Sequence, residues 1–331
     1  MRMGLTGLGR IGKLVLRRMV DMGHGGDLVW VNDLVGDAAA HAHMLEFDSV
    51  QRRWGVPVSG QDDTLTLDGH DVRMLNIANP ADLPLGDVDL VIDCTGKHKT
   101  AVKLQAYRDA GVRILVSAPV KDGDALNLVY GVNHDLYDPA QHDLVTAASC
   151  TTNCLAPVVK VMLQEFGIRH GSITTIHDVT NTQVVIDKPM KDLRRARSSL
   201  TNLIPTTTGS ATAITLIYPQ LTGKLNGHAV RVPMLNASLT DCVFELERET
   251  TAEELNEAFA RAASGELDGI LGVEHRPLVS SDYQGDARSA IIDAPSTMVV
   301  NGTQAKMFAW YDNEWAYSCR VVDIARMIAA G

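Results

Sequence analysis

Compact apolar blocks separated by amphipathic stretches run through the first half of this chain. Met3–Thr6, Leu28–Val31, Val88–Asp93 and Ile114–Ser117 are almost unbroken in apolar character, which predicts strands buried on both faces. Ile11–Met22 and Thr100–Ala110 instead repeat their apolar side chains at the spacing of one helix face. Strands alternating with helices predict βαβ units and a parallel sheet. The pattern changes near residue 148. Thr174–His177, Ala229–Pro233, Ala237–Glu247, Ser289–Asp293 and Met307–Tyr311 predict strands, many alternating apolar with polar residues as in a sheet open on one face. Thr251–Ala263 predicts a helix with Glu253 and Glu254 well placed in its first turn, and Tyr317–Ala330 carries a helical apolar stripe. The expected class is α/β: an N-terminal parallel-sheet domain, then an α+β domain on a mostly antiparallel sheet.

Composition narrows the setting more than the activity. At 331 residues the chain is long for one ordinary core, so two domains are expected. Its apolar runs are far short of a membrane span, and no direct membrane association is expected. A formal net charge of −10 weighs against attachment to nucleic acid, leaving any anion-binding groups to act locally. Five cysteines, at 94, 150, 154, 242 and 319, form no C-x-x-C pair, so neither a disulfide framework nor a metal site is expected. A cytoplasmic, reducing setting fits that usage. Met1-Arg2-Met3 leads directly into a nucleotide-binding motif, which predicts no signal peptide.

That motif is Gly7-x-Gly9-x-x-Gly12, after one predicted strand and at the opening of a helix. Asp33 follows about 20 residues on, at the end of the second strand. The glycines let the backbone approach a pyrophosphate, and the helix N-terminus stabilises its charge. Asp33 is suited to accept both ribose hydroxyls of NAD and to repel the 2′-phosphate of NADP. The first domain is therefore expected to be of Rossmann type, with NAD as cofactor.

The second chemical signal is Ser149-Cys150-Thr151-Thr152-Asn153-Cys154-Leu155-Ala156-Pro157. It follows the apolar run 144–148, which predicts a strand ending at Ser149. Leu155, Val158, Val159, Met162 and Phe166 then mark one helix face. A thiol at a strand-to-helix junction meets the positive end of the helix, where a cysteine pKa can fall from about 8.5 to roughly 3.5–7.5. Pro157 disturbs a helix that starts at Cys150, and the pattern alone leaves a second start open at Ala156, with the thiol in a loop. Cys154 reads as a small buried hydrophobe. His177, ending the strand that begins at Thr174, is a candidate partner for a thiolate, although sequence spacing alone does not bring it to Cys150.

The run 149–157 resembles the active-site signature of phosphorylating glyceraldehyde-3-phosphate dehydrogenases. The likeness extends from Gly7-Leu8-Gly9-Arg10-Ile11-Gly12 to Trp310-Tyr311-Asp312-Asn313-Glu314-Trp315. It implies a helix that begins at the cysteine, an NAD-binding domain over 1–148 completed by the helix 316–331, and a catalytic domain over 149–315. Cys150 is then the nucleophile and His177 the base. Arg10 and Ile11 join the glycines at the pyrophosphate, Thr95, Gly96 and Ser117 lie toward the nicotinamide, and Asn313 holds its carboxamide. Thr180, Thr182, Arg195 and Arg231 bind the substrate's C3 phosphate, while Ser149, Thr151, Thr208 and Gly209 bind the attacking inorganic phosphate. Without the likeness, Arg194, Arg195 and Arg197 read as a solvated basic stretch and Thr206–Thr208 as a polar turn. A homotetramer is implied as well, with glyceraldehyde 3-phosphate and inorganic phosphate as partners and a place in glycolysis.

Three positions depart from the family pattern. Val179 stands where an aromatic residue is usual, after Asp178; His98 stands in place of Phe beside the adenine site; and Lys188 replaces an apolar residue in a loop that reaches a neighbouring subunit's cofactor. A cation at Lys188 predicts some use of NADP beside NAD. The runs 177–183, 194–208 and 236–242 resemble the subgroup associated with arsenate-resistance operons and a membrane exporter, in which arsenate replaces phosphate as acyl acceptor. Other readings are a housekeeping glycolytic or gluconeogenic enzyme, an erythrose-4-phosphate dehydrogenase, a semialdehyde dehydrogenase, disfavoured by Asp33, and a non-catalytic NAD-binding redox sensor switched by Cys150.

Overall fold

The apolar blocks of the first half are buried on both faces, as their composition requires: Leu5, Val31, Ile92 and Leu115 have no exposed surface. The computed structural model describes residues 1–331, apart from the side chains of Ala211 and Thr212. Met1–Ser149 with Tyr317–Gly331 makes one unit, and Cys150–Ala316 makes another.

In the first unit a nine-stranded sheet is centred on Met3–Thr6, which pairs in parallel with Leu28–Asn32 on one side and Leu90–Asp93 on the other. Arg113–Val116 and Leu144–Thr146 continue the parallel order. This is the Rossmann-type sheet that the alternation of elements predicts. One edge is extended by His70–Leu75, parallel to Leu28–Asn32, and then by Thr64–Leu67 and Val58–Gln61, each antiparallel to the strand before it; no apolar block announces these three. The helix Ala38–Glu46 is also unannounced, although Asp37 caps it by accepting the Ala40 N–H at 2.8 Å. The helix Trp315–Ala330 is tied to the sheet of this unit: Arg113 Nη1 donates to the Ile328 carbonyl at 3.2 Å.

In the second unit the sheet runs, in spatial order, Ile204–Thr207, Leu225–Arg231, Ile168–His177, Ser238–Leu246, Gln304–Tyr311, Ala290–Asp293, Leu271–Glu274, with Met298–Val300 also on Gln304–Tyr311. Most pairs are antiparallel; Ile168–His177 with Leu225–Arg231, and Leu271–Glu274 with Ala290–Asp293, are parallel. The predicted strand at Thr174 begins six residues earlier, at Ile168, and Thr206 and Thr207 lie in the strand Ile204–Thr207, not in a polar turn. The helix Cys150–Glu165 begins at the cysteine and carries Pro157 inside it. Thr151 through Val159 are buried without interruption, so packing sustains a helix from which Pro157 withholds one hydrogen bond.

Candidate active site

Within the first unit the glycine motif has the shape its chemistry asks for. Gly7 adopts φ +89°, and a Cβ there would lie 2.6 Å from the Thr95 backbone nitrogen. At Gly12 a Cβ would fall 1.9 Å from the Gly7 carbonyl oxygen. Neither position admits a side chain, whereas a Cβ at Gly9 would meet nothing within 4 Å, leaving room for a pyrophosphate against the backbone. Asp33 closes the turn: Leu8 N–H donates to its Oδ2 at 2.7 Å and Val35 N–H to its Oδ1 at 3.0 Å. A cavity of about 220 Å³ opens beside it, lined by Gly7, Gly9, Asp33, Thr95, Lys97 and His98 among others. This donor set and this cradle fit a dinucleotide.

The other cofactor candidates of this unit are fixed by local bonds. Thr95 donates through both its N–H and its hydroxyl to Asp93 Oδ1, at 3.0 and 2.7 Å, and the Ser117 N–H bonds the Asp93 carbonyl at 2.9 Å. Gly96 takes φ +63°. Arg10 pairs with the largely buried Asp48, and Ile11 is half-buried in the first turn of its helix. His98 contacts the other oxygen of Asp93 at 2.6 Å and meets Tyr107 edge-on.

In the second unit the register of the sheet and one phenol assemble the thiol site. His177 ends its strand directly opposite Arg231. Tyr311 Oη lies 2.9 Å from Thr151 Oγ1 and 2.9 Å from Thr175 Oγ1, tying the residue after Cys150 to the one two before His177. Sγ of Cys150 is 3.8 Å from Nε2 of His177. Upstream, Ala148 holds a left-handed φ of +52°, and the Tyr317 hydroxyl donates to its carbonyl at 3.0 Å; the expected strand therefore stops at Thr146, and this strained turn leads into the helix.

Burial opposes charge on both partners of the pair. At Cys150 the hydrogen bond and charge of His177, helped by Arg231, outweigh burial and hold the thiol below its ordinary range. At His177, hydrogen bonds to Asp178 and Cys150 and the thiolate's charge raise the imidazole to about 9, against burial and Arg231. Nδ1 of His177 faces the Asp178 Oδ1 at 2.8 Å, the Asp178 carbonyl at 2.9 Å and Arg231 Nη1 at 2.6 Å. A protonated Nδ1 donates to either oxygen and cannot accept from the guanidinium. Two acceptors, and a second acceptor for Nη1 at the Asp178 carbonyl, 2.9 Å away, select the protonated form.

The anion-binding candidates of this unit are less uniformly placed. Thr180 and Thr182 are exposed, with hydroxyl oxygens 2.9 Å apart. Arg195 Nε donates to Thr206 Oγ1 at 2.9 Å, and its charge acts on Arg231, whose guanidinium burial pulls down. Arg231 Nε is buried with no partner among the described residues. Thr208 accepts the Ser210 N–H at 3.2 Å, and Gly209 precedes the helix Ser210–Ile217. Thr151 turns its hydroxyl inward to Tyr311, and Asn313 uses both ends of its amide, donating to Asp178 Oδ1 and accepting from Ser238, each at 3.0 Å. Ser149, half-buried, belongs to the first unit and ends its N-terminal segment. Among the described residues no group of His, Cys, Asp and Glu is arranged to hold a metal ion, and no helix is long and apolar enough to cross a membrane.

Residues 1–101 match the family model "Glyceraldehyde 3-phosphate dehydrogenase, NAD binding domain", and residues 149–313 match "Glyceraldehyde 3-phosphate dehydrogenase, C-terminal domain". The chain belongs to the glyceraldehyde 3-phosphate dehydrogenase family. It is 56% identical to glyceraldehyde-3-phosphate dehydrogenase 3 of Nostoc sp. over 99% of this chain and 98% of that one. To the glyceraldehyde-3-phosphate dehydrogenases of Streptomyces coelicolor and Geobacillus stearothermophilus it is 47% and 46% identical, over 98% and 99% of this chain and 97% and 98% of theirs. It is therefore an NAD-dependent dehydrogenase of this family.

Two residues of this dehydrogenase's thiol site escape inspection of the sequence. Tyr311 lies inside the quoted run 310–315 but reads there as one more inward position of a strand, and Asp178 reads as a loop residue. A periodic burial pattern flags Tyr311 as core without saying that its hydroxyl joins two strands' ends. In Tyr311→Phe the hydroxyls of Thr151 and Thr175 lose that shared partner, and unfolding free energy should fall by about 1–3 kcal/mol. Urea denaturation reads this directly, and an unchanged midpoint would remove the clamp from the list of forces that hold the site.

Proposed function

We propose that this protein oxidises glyceraldehyde 3-phosphate with NAD⁺ through a Cys150 thioester and transfers the acyl group to inorganic phosphate or arsenate. The observation that carries the proposal is the 3.8 Å approach of Cys150 Sγ to His177 Nε2, with the thiol held low and the imidazole high. The Cys150 thiolate attacks the aldehyde carbon, and the His177 imidazolium gives its Nε2 proton to the developing alkoxide, which leaves a hemithioacetal and a neutral imidazole. His177, neutral at Nε2, takes the hydroxyl proton as the thioester forms, and with the Cys150 N–H it stabilises the oxyanion. NAD⁺ supplies the hydride acceptor. The incoming anion then attacks the thioester carbon, the C–S bond breaks, and the thiolate is restored.

Residue roles follow the family likeness. Gly7, Gly9, Arg10, Ile11, Gly12, Asp33, Thr95, Gly96, Ser117 and Asn313 serve the cofactor, with 1–148 and 316–331 as its domain and 149–315 as the catalytic one. Thr180, Thr182, Arg195 and Arg231 take the C3 phosphate, and the unpartnered Nε of Arg231 supports this. Ser149, Thr151, Thr208 and Gly209 take the attacking anion; Thr151, whose hydroxyl is engaged, does so through its backbone N–H in the first helical turn.

The runs that resemble the arsenate-resistance subgroup support arsenate as the physiological acceptor, since a hydroxyl-and-amide site discriminates weakly between near-isosteric anions. A cytoplasmic homotetramer completes the proposal. Val185, Ile186, Leu193, Leu200 and Leu203 are all more than half exposed in the one stretch around Lys188 where the family places a subunit contact, and burying them supports assembly. Initial rates of NADH formation from glyceraldehyde 3-phosphate, with phosphate and arsenate titrated separately, test the proposal. An enzyme that removes acyl phosphate keeps the reverse reaction out of the phosphate arm. Equal or better efficiency with arsenate supports detoxification; a marked preference for phosphate returns the enzyme to glycolysis, and no NADH with either anion overturns the substrate.

A further inference from the structure

Resting on the roles of Cys150 and His177 just given, we infer that Asp178 is the third member of a Cys150–His177–Asp178 arrangement, its carboxylate stabilising the imidazolium that forms when Nε2 takes the substrate's proton. Asp178 is fully buried, and its Oδ1 stands 2.8 Å from Nδ1 of His177. A closed ring of hydrogen bonds holds it there. The Asp178 N–H donates to Ser238 Oγ at 3.2 Å, Ser238 Oγ donates to Asn313 Oδ1 at 3.0 Å, and Asn313 Nδ2 donates back to Asp178 Oδ1 at 3.0 Å. Each donor and acceptor is used in the correct sense, so the carboxylate is oriented before any substrate arrives.

A purely structural role does not account for the charge. Its Oδ2 has no hydrogen-bond partner among the described residues, and a half-satisfied buried carboxylate costs stability. An amide would serve Asn313 and Ser238 equally well. The Asp178 backbone carbonyl already accepts from Nδ1 at 2.9 Å and fixes the tautomer, so what the side chain adds is negative charge. That charge has a local opponent. From the neighbouring strand Arg231 brings a guanidinium within 2.6 Å of Nδ1, which disfavours a charged imidazole. The remaining titratable groups facing the ring are Cys150 at the helix start and the edge of Tyr311 from the strand Gln304–Tyr311. Asp178 thus lets one site keep a cation for an anionic substrate beside a histidine that must itself become cationic. Burial pushes the Asp178 carboxyl above its usual range, while His177, Asn313 and Arg231 pull it back.

Asp178→Asn keeps the shape and removes the charge. Two profiles are read against pH: the rate of Cys150 alkylation by iodoacetamide, which needs no substrate, and kcat for NADH formation. Proton affinity at His177 should fall about tenfold, moving the alkaline limb of the ion pair down by about one pH unit, and kcat should fall roughly 10- to 100-fold with little change in KM. The expected loss is smaller than for a triad whose carboxylate alone sets the tautomer, because the backbone carbonyl remains. Asp178→Ser should shift the alkylation profile in the same direction. An alkylation profile superimposed on that of the unsubstituted protein, in a folded variant, overturns the inference. Should both variants unfold, ¹⁵N-histidine spectra of the unsubstituted protein decide: Nδ1 of His177 must carry hydrogen in both neutral and cationic forms, and a bare Nδ1 overturns the inference. If the unsubstituted protein makes no NADH from glyceraldehyde 3-phosphate, the proposed substrate fails while the alkylation profiles still judge Asp178.

Discussion

Cys150→Ser should abolish aldehyde oxidation, by roughly 10⁴-fold or more, while NAD binding persists. The magnitude follows from what the site does to a thiol and cannot do to an alcohol. His177 and Arg231 bring the Cys150 thiol below its ordinary range, and the same forces acting on a serine hydroxyl leave it un-ionised throughout the working pH range. Cys94, Cys154 and Cys242 do not stand ready to replace it. Burial pushes Cys94 and Cys154 to about 12 and raises Cys242 well above its ordinary value. Cys154 is one turn along the same helix, but its sulfur contacts Thr240 and the Ala309 carbonyl in the sheet, the buried small hydrophobe that its setting suggests. NADH formation at saturating substrate and NAD titration by fluorescence quenching, run on one preparation, separate catalysis from binding. Residual turnover within tenfold of the unsubstituted enzyme would mean that the nucleophile lies elsewhere. Loss of turnover with NAD binding intact excludes a role for the thiol as redox switch alone.

The features legible in the sequence are those whose physics is local. A turn in which Gly7 must reach φ +89° and Gly12 must touch a carbonyl admits only glycine, so the motif declares itself. Buried parallel strands declare themselves by unbroken apolar runs. The strand Ile168–His177 does so only at its end: Arg169, His170 and Ser172 are exposed, and strands on both sides supply the hydrogen bonds that their side chains do not announce. Periodicity leaves the start of the helix open between Cys150 and Ala156 because Pro157 counts against the longer one; only the packing that buries Thr151 through Val159 compensates for the missing hydrogen bond. The contact of Arg231 with His177 depends on a parallel register between residues 54 apart in sequence, and no spacing rule yields it. Asp178 is the sharpest case. An acidic residue after a strand reads as solvated loop, and its burial follows from Asn313 and Ser238, which come from two later segments.

His177→Asn should act on two observables at once. The first is turnover: loss of the base that receives the hemithioacetal proton should lower kcat roughly 10²- to 10⁴-fold. The second is the thiol itself. In the unsubstituted protein Cys150 is held below its ordinary range by its partner, and that partner stays charged up to about pH 9, so its pull on the thiol persists through neutrality. Without the imidazolium, burial acts on Cys150 with less opposition and its titration moves up. Alkylation by iodoacetamide should therefore fall most at neutral pH, and the deficit should close as pH rises through the thiol's new, higher value. A sulfur–nitrogen separation of 3.8 Å is long for a tight hydrogen bond and ordinary for sulfur, so the charge, which acts over greater distance, should carry most of the effect. The two observables need not move together, and their divergence is informative. Lost turnover with an unchanged alkylation profile would leave His177 as base and assign the thiol's activation to Arg231 and the helix start. A shifted profile with turnover preserved would place the base elsewhere and leave His177 only as the thiolate's counter-ion.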